Sequence, residues 1–539
     1  MIGVAVHQPD WKVVEEFFEL FKTPWEPAVV SRKYKVVLST EGSGGNLQAD
    51  VLLAYGADAC PIDMDAAVDV EPVSGPSDVE WDGCTFPIYG RVGAFGVDAS
   101  AATLRANGQA LDYRSQSGVR VVRRVGYDLF EEIRYLLTNG QPASNALTPT
   151  LELHIALLRS LLLECGISFA EIPPRPDRYE FICCLTHDVD FFGIRGHRFD
   201  RTLAGFIARA SVGTLVGLAR GTRTFREAIR NWGALLSLPL VFMRLRPDFW
   251  HPFHDYARAE AGRRSTFFLV PFKARAGVAP DGVVEEARAV SYEIGEIQHE
   301  LKTAVASGAE VGVHGIDAWR DADAGRAELN RLTSLTGESA AGVRMHWLYF
   351  ASDSPTQLEA AGFEYDSTWG YNDAIGYKAG TSQVFRLQGA ADLMELPMSI
   401  MDSALFYADR MGLAGEAALS LCRRIVAGAR RYGGTVVINW HCRSLAPERL
   451  WGRFYQELLA ELDKNERAWF ATAAEAVSWF RWRRSIRFET DAASDAVAVV
   501  APSPISGPAA VVRVHRPAVE KMPVENIPFD GRQVVRCVV

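Results

Sequence analysis

Between Phe181 and His441 the chain alternates short β-like runs with helical ones, and this alternation constrains the fold more than any other feature. The β-like runs are Phe181 to Thr186, Ser265 to Val270, Glu310 to His314, Gly342 to His346, Leu393 to Ile400 and Thr435 to His441. Helical patterns such as Ser291 to Ala306 and Gly415 to Arg431 lie between them. Strands separated by helices do not pair as hairpins. They pair in parallel, in a sheet closed into a barrel or left open. The expected fold of residues 177–482 is therefore α/β, built on such a parallel sheet.

The flanks read differently. In residues 1–170, Val36 to Ser39 and Ala49 to Ala54 have the character of strands, while Trp11 to Phe21 and Tyr127 to Leu137 place apolar residues at helical spacing. This predicts an amino-terminal α/β accessory domain. The run Gly42-Ser43-Gly44-Gly45 looks superficially like a phosphate loop, but it leads into a strand rather than a helix and lacks the Lys-Ser/Thr ending. Leu151 to Cys165 is an amphipathic helix, and Ile172-Pro173-Pro174-Arg175-Pro176 after it can neither continue a helix nor join a central strand, which marks a domain boundary. Beyond Trp482, Val-rich pieces separated by Pro, Gly, Ser and Asp predict a small β-rich segment, residues 483–539.

At 539 residues, 48% of them hydrophobic, the chain can build several cores. Its net charge of -9 argues against a nucleic-acid partner, since phosphate neutralisation needs a concentrated basic face. Residues 195–246 are the local exception. They read as a basic, helical insertion mixing Arg with Leu, Val and Phe, suited to covering the barrel, to peripheral contact with an anionic membrane or to gripping a lipid-linked or anionic glycan. The start, Met1-Ile-Gly-Val-Ala-Val-His7, lacks the pattern of a secretory signal, and the eight cysteines form no CxxC pair. The expected location is cytoplasmic, peripheral to the inner membrane if 195–246 docks there. The most apolar stretch, Trp232 to Met243, is interrupted and too short to span a bilayer, so no transmembrane segment is expected.

In parallel α/β folds reactive groups gather where strands run out into loops. Here one strand ends in Thr186-His187-Asp188-Val189-Asp190, another in Val313-His314-Gly315-Ile316-Asp317, and a late one in Asn439-Trp440-His441. In extended backbone Asp188 and Asp190 point to one face. Two carboxylates so close repel unless a cation lies between them, and carboxylate with imidazole, here that of His314, suits zinc or a similar divalent ion. One such residue alone is more often a cap or a satisfied polar group. Three strand ends carrying them together are hard to ascribe to chance.

These residues resemble the polysaccharide deacetylases of carbohydrate esterase family 4 over most of 181–445. Thr186 to Asp190 resembles the family's first motif, Ser265-Thr266-Phe267-Phe268 its second-strand signature and Val313-His314-Gly315 its metal-histidine motif. Arg344-Met345-His346-Trp347 resembles its Arg-x-Pro motif, Tyr365-Asp366-Ser367-Thr368 its Tyr-Asp-Ser-Ser segment and Asn439-Trp440-His441 its final acid motif.

The resemblance implies a distorted (β/α) barrel over 177–482 and a divalent metal, expected to be Zn2+, on Asp190 and His314, with Asp188 as general base, His441 as general acid and Arg344 holding Asp188 charged. It also implies an N- or O-acetylated glycan, or a lipid-linked or nucleotide-linked sugar, as substrate. A backbone N–H such as that of Trp347 is expected to steady the oxyanion. In most of the family a second metal histidine lies four residues after the first, and here that position is Ala318. Asp317 is taken as the third ligand, with helix capping as its alternative role; His346 and His187 are the other candidates.

His346, Trp347, Tyr349, Trp369 and Tyr371 are expected to contact the sugar, core packing remaining the alternative for about two of the four aromatic residues. Glu395 and Asp402 either line the cleft or serve in turns. Two further readings stand beside this one. The missing histidine would suit an inactive relative that binds glycan or acts as a scaffold. A glycosidase would leave the His314 and His441 pair without a purpose.

Overall fold

In the computed structural model, residues 1–40, 46–74, 77–221, 223–338, 341–490, 496–517 and 524–538 are described. The Gly42 to Gly45 run lies outside them. At the centre is the strand Phe181–Val189, every residue of which is buried. Along its second half it pairs in parallel with Ser265–Leu269, and Ala468–Phe470 pairs with its first three residues. The sheet continues in parallel through Glu310–Gly315, Val343–Met345, Tyr365–Asp366 and Met394–Glu395. On its other side the central strand pairs with Thr435–Asn439, which pairs with Ile400–Met401.

The parallel run of this curled sheet therefore begins and ends in one short segment, residues 394–401, and Phe385–Arg386 pairs antiparallel on the outside of Met394–Glu395. The single strand expected over Leu393 to Ile400 is two two-residue strands, and the ladder is interrupted between them. Pro397 supplies the reason, because it has no N–H to donate. The distorted barrel expected over 177–482 is in the structure a curled sheet, with one segment changing partners where a barrel would close.

The amino-terminal sheet is mostly parallel. It runs Asp112–Ser117, Arg120–Val125, Gln48–Tyr55, Lys33–Ser39, Ile2–Ala5, Trp25–Pro27, with only the first pair antiparallel. The helix Trp11–Phe21 buries Val13, Val14, Phe17, Phe18, Leu20 and Phe21, following the period of 3.6 residues. A second, antiparallel sheet between Val70 and Ala110 has no counterpart in the sequence reading, because its strands of two to five residues are too short to show a period.

Phe169–Glu171, assigned to the first domain up to residue 170, pairs antiparallel with Ala510–His515 and so joins one of two three-stranded carboxy-terminal sheets. The parts interlock. The buried guanidinium of Arg483 donates to the carbonyls of Leu20 and Ile172, and Gln141 donates from its side-chain amide to the carbonyl of Tyr377. All eight cysteines are free thiols, with Cys183 and Cys184 buried in the central strand.

Residues 195–246 form two helices side by side. The first runs Arg201–Ala208, continues through a π turn at Arg209–Gly213 and ends with Thr214–Ala219; the second is Phe225–Phe242, begun by the Thr224–Glu227 capping box. By length and composition the first, of 19 residues and mean hydropathy 1.5, is long and apolar enough to cross a membrane, contrary to the expectation that no segment is.

Candidate active site

The strand ends converge on one group of donors. Nε2 of His314 and Nε2 of His346 each lie 3.4 Å from Oδ1 of Asp190. Three donors about 2.0–2.1 Å from a tetrahedral zinc stand roughly 3.3 Å apart, so the spacing fits a divalent ion of that size. Two further observations support the fit. Oδ1 of Asp190 is buried and makes no hydrogen bond within the protein. Nδ1 of His314 lies 2.9 Å from the Arg344 carbonyl; donating there, it leaves Nε2 with its lone pair toward the group. Burial pushes His346 down to about 3, so its ring is neutral, as a ligand must be. Burial also opposes the charge on Asp190, but His314, His346 and His441 outweigh it and hold the carboxyl below its ordinary range.

Asp317, expected as the third ligand, is not in this group. Its Oδ1 accepts from the Val278 N–H at 3.0 Å, and its other oxygen faces Arg275 at 3.5 Å. The neighbouring Gly277, at φ +69°, has no room for a side chain, since a Cβ there would lie 2.8 Å from Asp317 Oδ1. Asp317 therefore secures a loop. The site is completed instead by His346, which was assigned to substrate contact. Ala318 is fully buried beside Gly325 of the helix Ala322–Thr336, where an added Cβ would lie 3.1 Å from that of Ala318. His187, the remaining candidate, points to the opposite face of its strand. It bonds the Trp440 carbonyl at 2.9 Å and Glu260 at 2.8 Å, and stacks on Tyr256.

Asp188 stands beside the donor group, its Oδ2 3.8 Å from His314 Nε2. Arg344 donates to its Oδ1 at 3.0 Å and Asn439 to its Oδ2 at 2.6 Å. The Arg344 guanidinium is buried, also bonds Thr186, the Ser367 carbonyl and the Ser367 hydroxyl, and lies over Phe268. Burial works against the Asp188 anion, but His314, Arg344 and His441 together keep its carboxyl below the usual range.

On the neighbouring strand end, His441 gives its Nδ1 to Asp402 Oδ1 at 2.5 Å, which directs Nε2 away from that carboxylate. Burial disfavours a charged ring here, yet Asp402, with Asp190 and Asp188, raises His441 to about 10.

The expected sugar-binding aromatics divide. Trp347 is 40% exposed and sits edge-on to Tyr349 at the rim. Trp347 and Leu348 both hold left-handed backbone (φ 65° and 57°), a strained arrangement that costs about 1–3 kcal/mol per residue and is found where a site demands it. Trp369 and Tyr371 are corrected to packing residues. Trp369, 5% exposed, packs against Phe350 and Phe385; Tyr371, 8% exposed, bonds the Gln141 carbonyl of the amino-terminal domain.

Two functional groups were underestimated from sequence. Asp402 was left open between cleft and turn, although its position two residues beyond a strand was the available signal. Arg288, which donates to the carbonyls of Ile316 and His346 and so ties two site loops together, gave none.

The fold and the site define an α/β protein with a candidate Asp-His-His metal centre at the carboxyl ends of a curled parallel sheet. No family model matches the chain, and no curated protein matches it. Seventeen chains of solved structure resemble it. One, assigned as a polysaccharide deacetylase of Mycobacterium smegmatis, is 19% identical, covers 57% of this chain and 94% of its own, and has a TM-score of 0.34. The PuuE allantoinase is 15% identical over 57% of this chain and 93% of its own, with a TM-score of 0.35. The carbohydrate deacetylase Agd3 is 9% identical, covers 99% of both chains and has a TM-score of 0.36. At these scores the functional reading rests on this chain's own residues.

Proposed function

We propose that the chain is a metal-dependent deacetylase of the carbohydrate esterase 4 type, removing acetyl or other acyl groups from an N- or O-acylated glycan or glycan precursor in bacterial polysaccharide biosynthesis. The observation that carries this reading is the placing of Asp188 and His441 around the convergent Asp190, His314 and His346 donors. Base, acid and metal ligands thus meet at one end of the sheet. A divalent ion such as Zn2+, when bound by those three residues, polarises an acyl carbonyl and acidifies water beside it.

Asp188, held ionised by His314, Arg344 and His441 and oriented by the Asn439 amide, is suited to take the proton of an attacking water. His441 is kept protonated by Asp402 and is suited to pass a proton to the departing amine or hydroxyl. Trp347, exposed at the rim, suits stacking on a sugar ring, whereas the ring of Tyr349 lies under the Arg288 guanidinium. The missing histidine at position 318 gives no reason to expect an inactive relative, because His346 supplies the third donor.

The test is a joint measurement of bound metal and of acetate released from a panel of acetylated glycans. Wild type is expected to hold about one divalent ion per chain and to release acetate. His314→Ala is expected to lose both, whereas Asp188→Asn is expected to keep the metal and lose acetate release. A wild-type protein with neither metal nor activity on the panel would overturn the proposal.

A further inference from the structure

The helical insertion exposes a surface that the deacetylase reading does not use. Of the 21 large hydrophobic side chains exposed among the described residues, 11 lie between Phe199 and Leu245. Phe199 is wholly exposed, and Val212, Leu215, Phe225, Leu236 and Leu245 are all more than half exposed. Residues 195–246 hold ten arginines against Asp200 and Glu227, a net charge of +8 in a chain whose net charge is -9. Arg198, Arg201, Arg220, Arg226, Arg230, Arg244 and Arg246 are exposed.

The opposite face of the helical pair is committed to the protein. Phe206, Ala210, Ala234, Leu238 and Val241 pack with Ile194, Trp250 and Ala446, so the pair is seated on the loop that follows His441. Arg443 of that loop lies over Phe191 and Trp250. The helices are thus apolar on both sides. Water-facing helix surfaces are ordinarily polar, and exposed apolar side chains set among cations are what an interfacial helix presents to lipid.

We propose that the helical pair 199–245 docks the protein peripherally on an anionic lipid bilayer, with its exposed apolar side chains in the acyl boundary and its arginines among the headgroups. Charge complementarity selects the anionic surface. The combination of aliphatic and Arg side chains disfavours the two other partners. A nucleic acid offers no apolar phase for Leu236 and Leu245, and the core of a protein interface is depleted of charge. The buried face argues against spanning, because Phe206 and Ala210 would have to leave the protein core for the first helix to cross.

The experiment is co-sedimentation of the purified full chain with vesicles of phosphatidylcholine alone or doped with phosphatidylglycerol, over a range of salt. It needs no turnover, so its result is independent of the deacetylase reading. Binding is expected to be on the order of tenfold stronger to the doped vesicles at low salt and to weaken as salt rises. Phe225→Ser with Leu236→Asp, and separately Arg226→Glu with Arg230→Glu, are expected to abolish it while leaving the melting curve unchanged, since all four side chains are exposed. Equal binding to both vesicle types, no binding to either, binding retained by both double variants, or wild-type protein that resists carbonate extraction as a spanning segment does, would overturn the proposal.

Discussion

Asp402 holds His441 twice, with Oδ1 2.5 Å from the ring Nδ1 and Oδ2 2.8 Å from the backbone N–H. The same Oδ2 accepts from the Ser444 hydroxyl, and the carboxylate is wholly buried. One buried anion therefore sets the tautomer, orientation and charge of the ring. Burial alone would lower the ring; Asp402, Asp190 and Asp188 raise it to about 10. Asp402→Asn removes the largest raising contribution, so the alkaline limb of kcat/KM against pH is expected to move to lower pH. Activity above that limb should fall by about 10–100-fold, with metal content retained. An unmoved limb would show that His441 is not the titrating acid.

The donor set makes opposite demands on two residues that sequence alone could not rank. His346→Ala is expected to remove the bound metal, measured by plasma emission spectroscopy on protein purified in excess zinc. Asp317→Asn is expected to keep it, because that carboxylate holds Val278 and faces Arg275. The reverse outcome would restore Asp317 as a ligand.

Arg344 is a planar fork with four acceptors, Asp188, Thr186 and two groups of Ser367. Lysine carries the charge but not the fork, so Arg344→Lys leaves buried acceptors unpaired. A loss of about 2–4 kcal/mol in urea unfolding is expected, with kcat falling more than KM changes. Stability equal to wild type would contradict the geometry.

The two tryptophans divide stability from binding. Trp369→Ala opens a cavity in a packed cluster and is expected to cost about 3–5 kcal/mol. Trp347→Ala, at a 40% exposed position, is expected to leave the melting temperature nearly unchanged and to raise KM for a glycan. Equal effects on stability would place both in the core.

Glu328 provides a pH test of the fold around the site. It accepts from the N–H groups of Ile316 and Asp317 at 3.1 and 3.0 Å, and burial raises it to about 7. Because the folded pKa lies above the unfolded value, its contribution to stability is fully present below the unfolded pKa and is lost as pH rises through about 7. The wild-type melting temperature is therefore expected to fall more between pH 5 and 8 than that of Glu328→Gln, which cannot ionise. Parallel curves would remove Glu328 as a source of the slope.

The sequence by itself determined the longer strands of the central domain and which chemistry collects at their ends, but not the short strands Tyr365–Asp366, Phe385–Arg386 and Ala468–Phe470. These features are local: alternation of period two puts Asp188 and Asp190 on one face, and helical spacing separates one strand from the next. For the same reason the helix Trp11–Phe21 was legible to the residue.

Tertiary structure decided what depends on segments distant in the chain. Parallel register brings His346 to His314, through the pairing of His314 with Arg344, while position 318 is buried beside Gly325, away from the donor group. Asp402 reaches His441 only because Met401 pairs with Asn439. Trp369 and Tyr371 have the composition of sugar-binding residues, but the amino-terminal domain and the core cover them. Alternation is written into neighbouring dihedral angles, whereas convergence arises from pairings between residues tens to hundreds of positions apart.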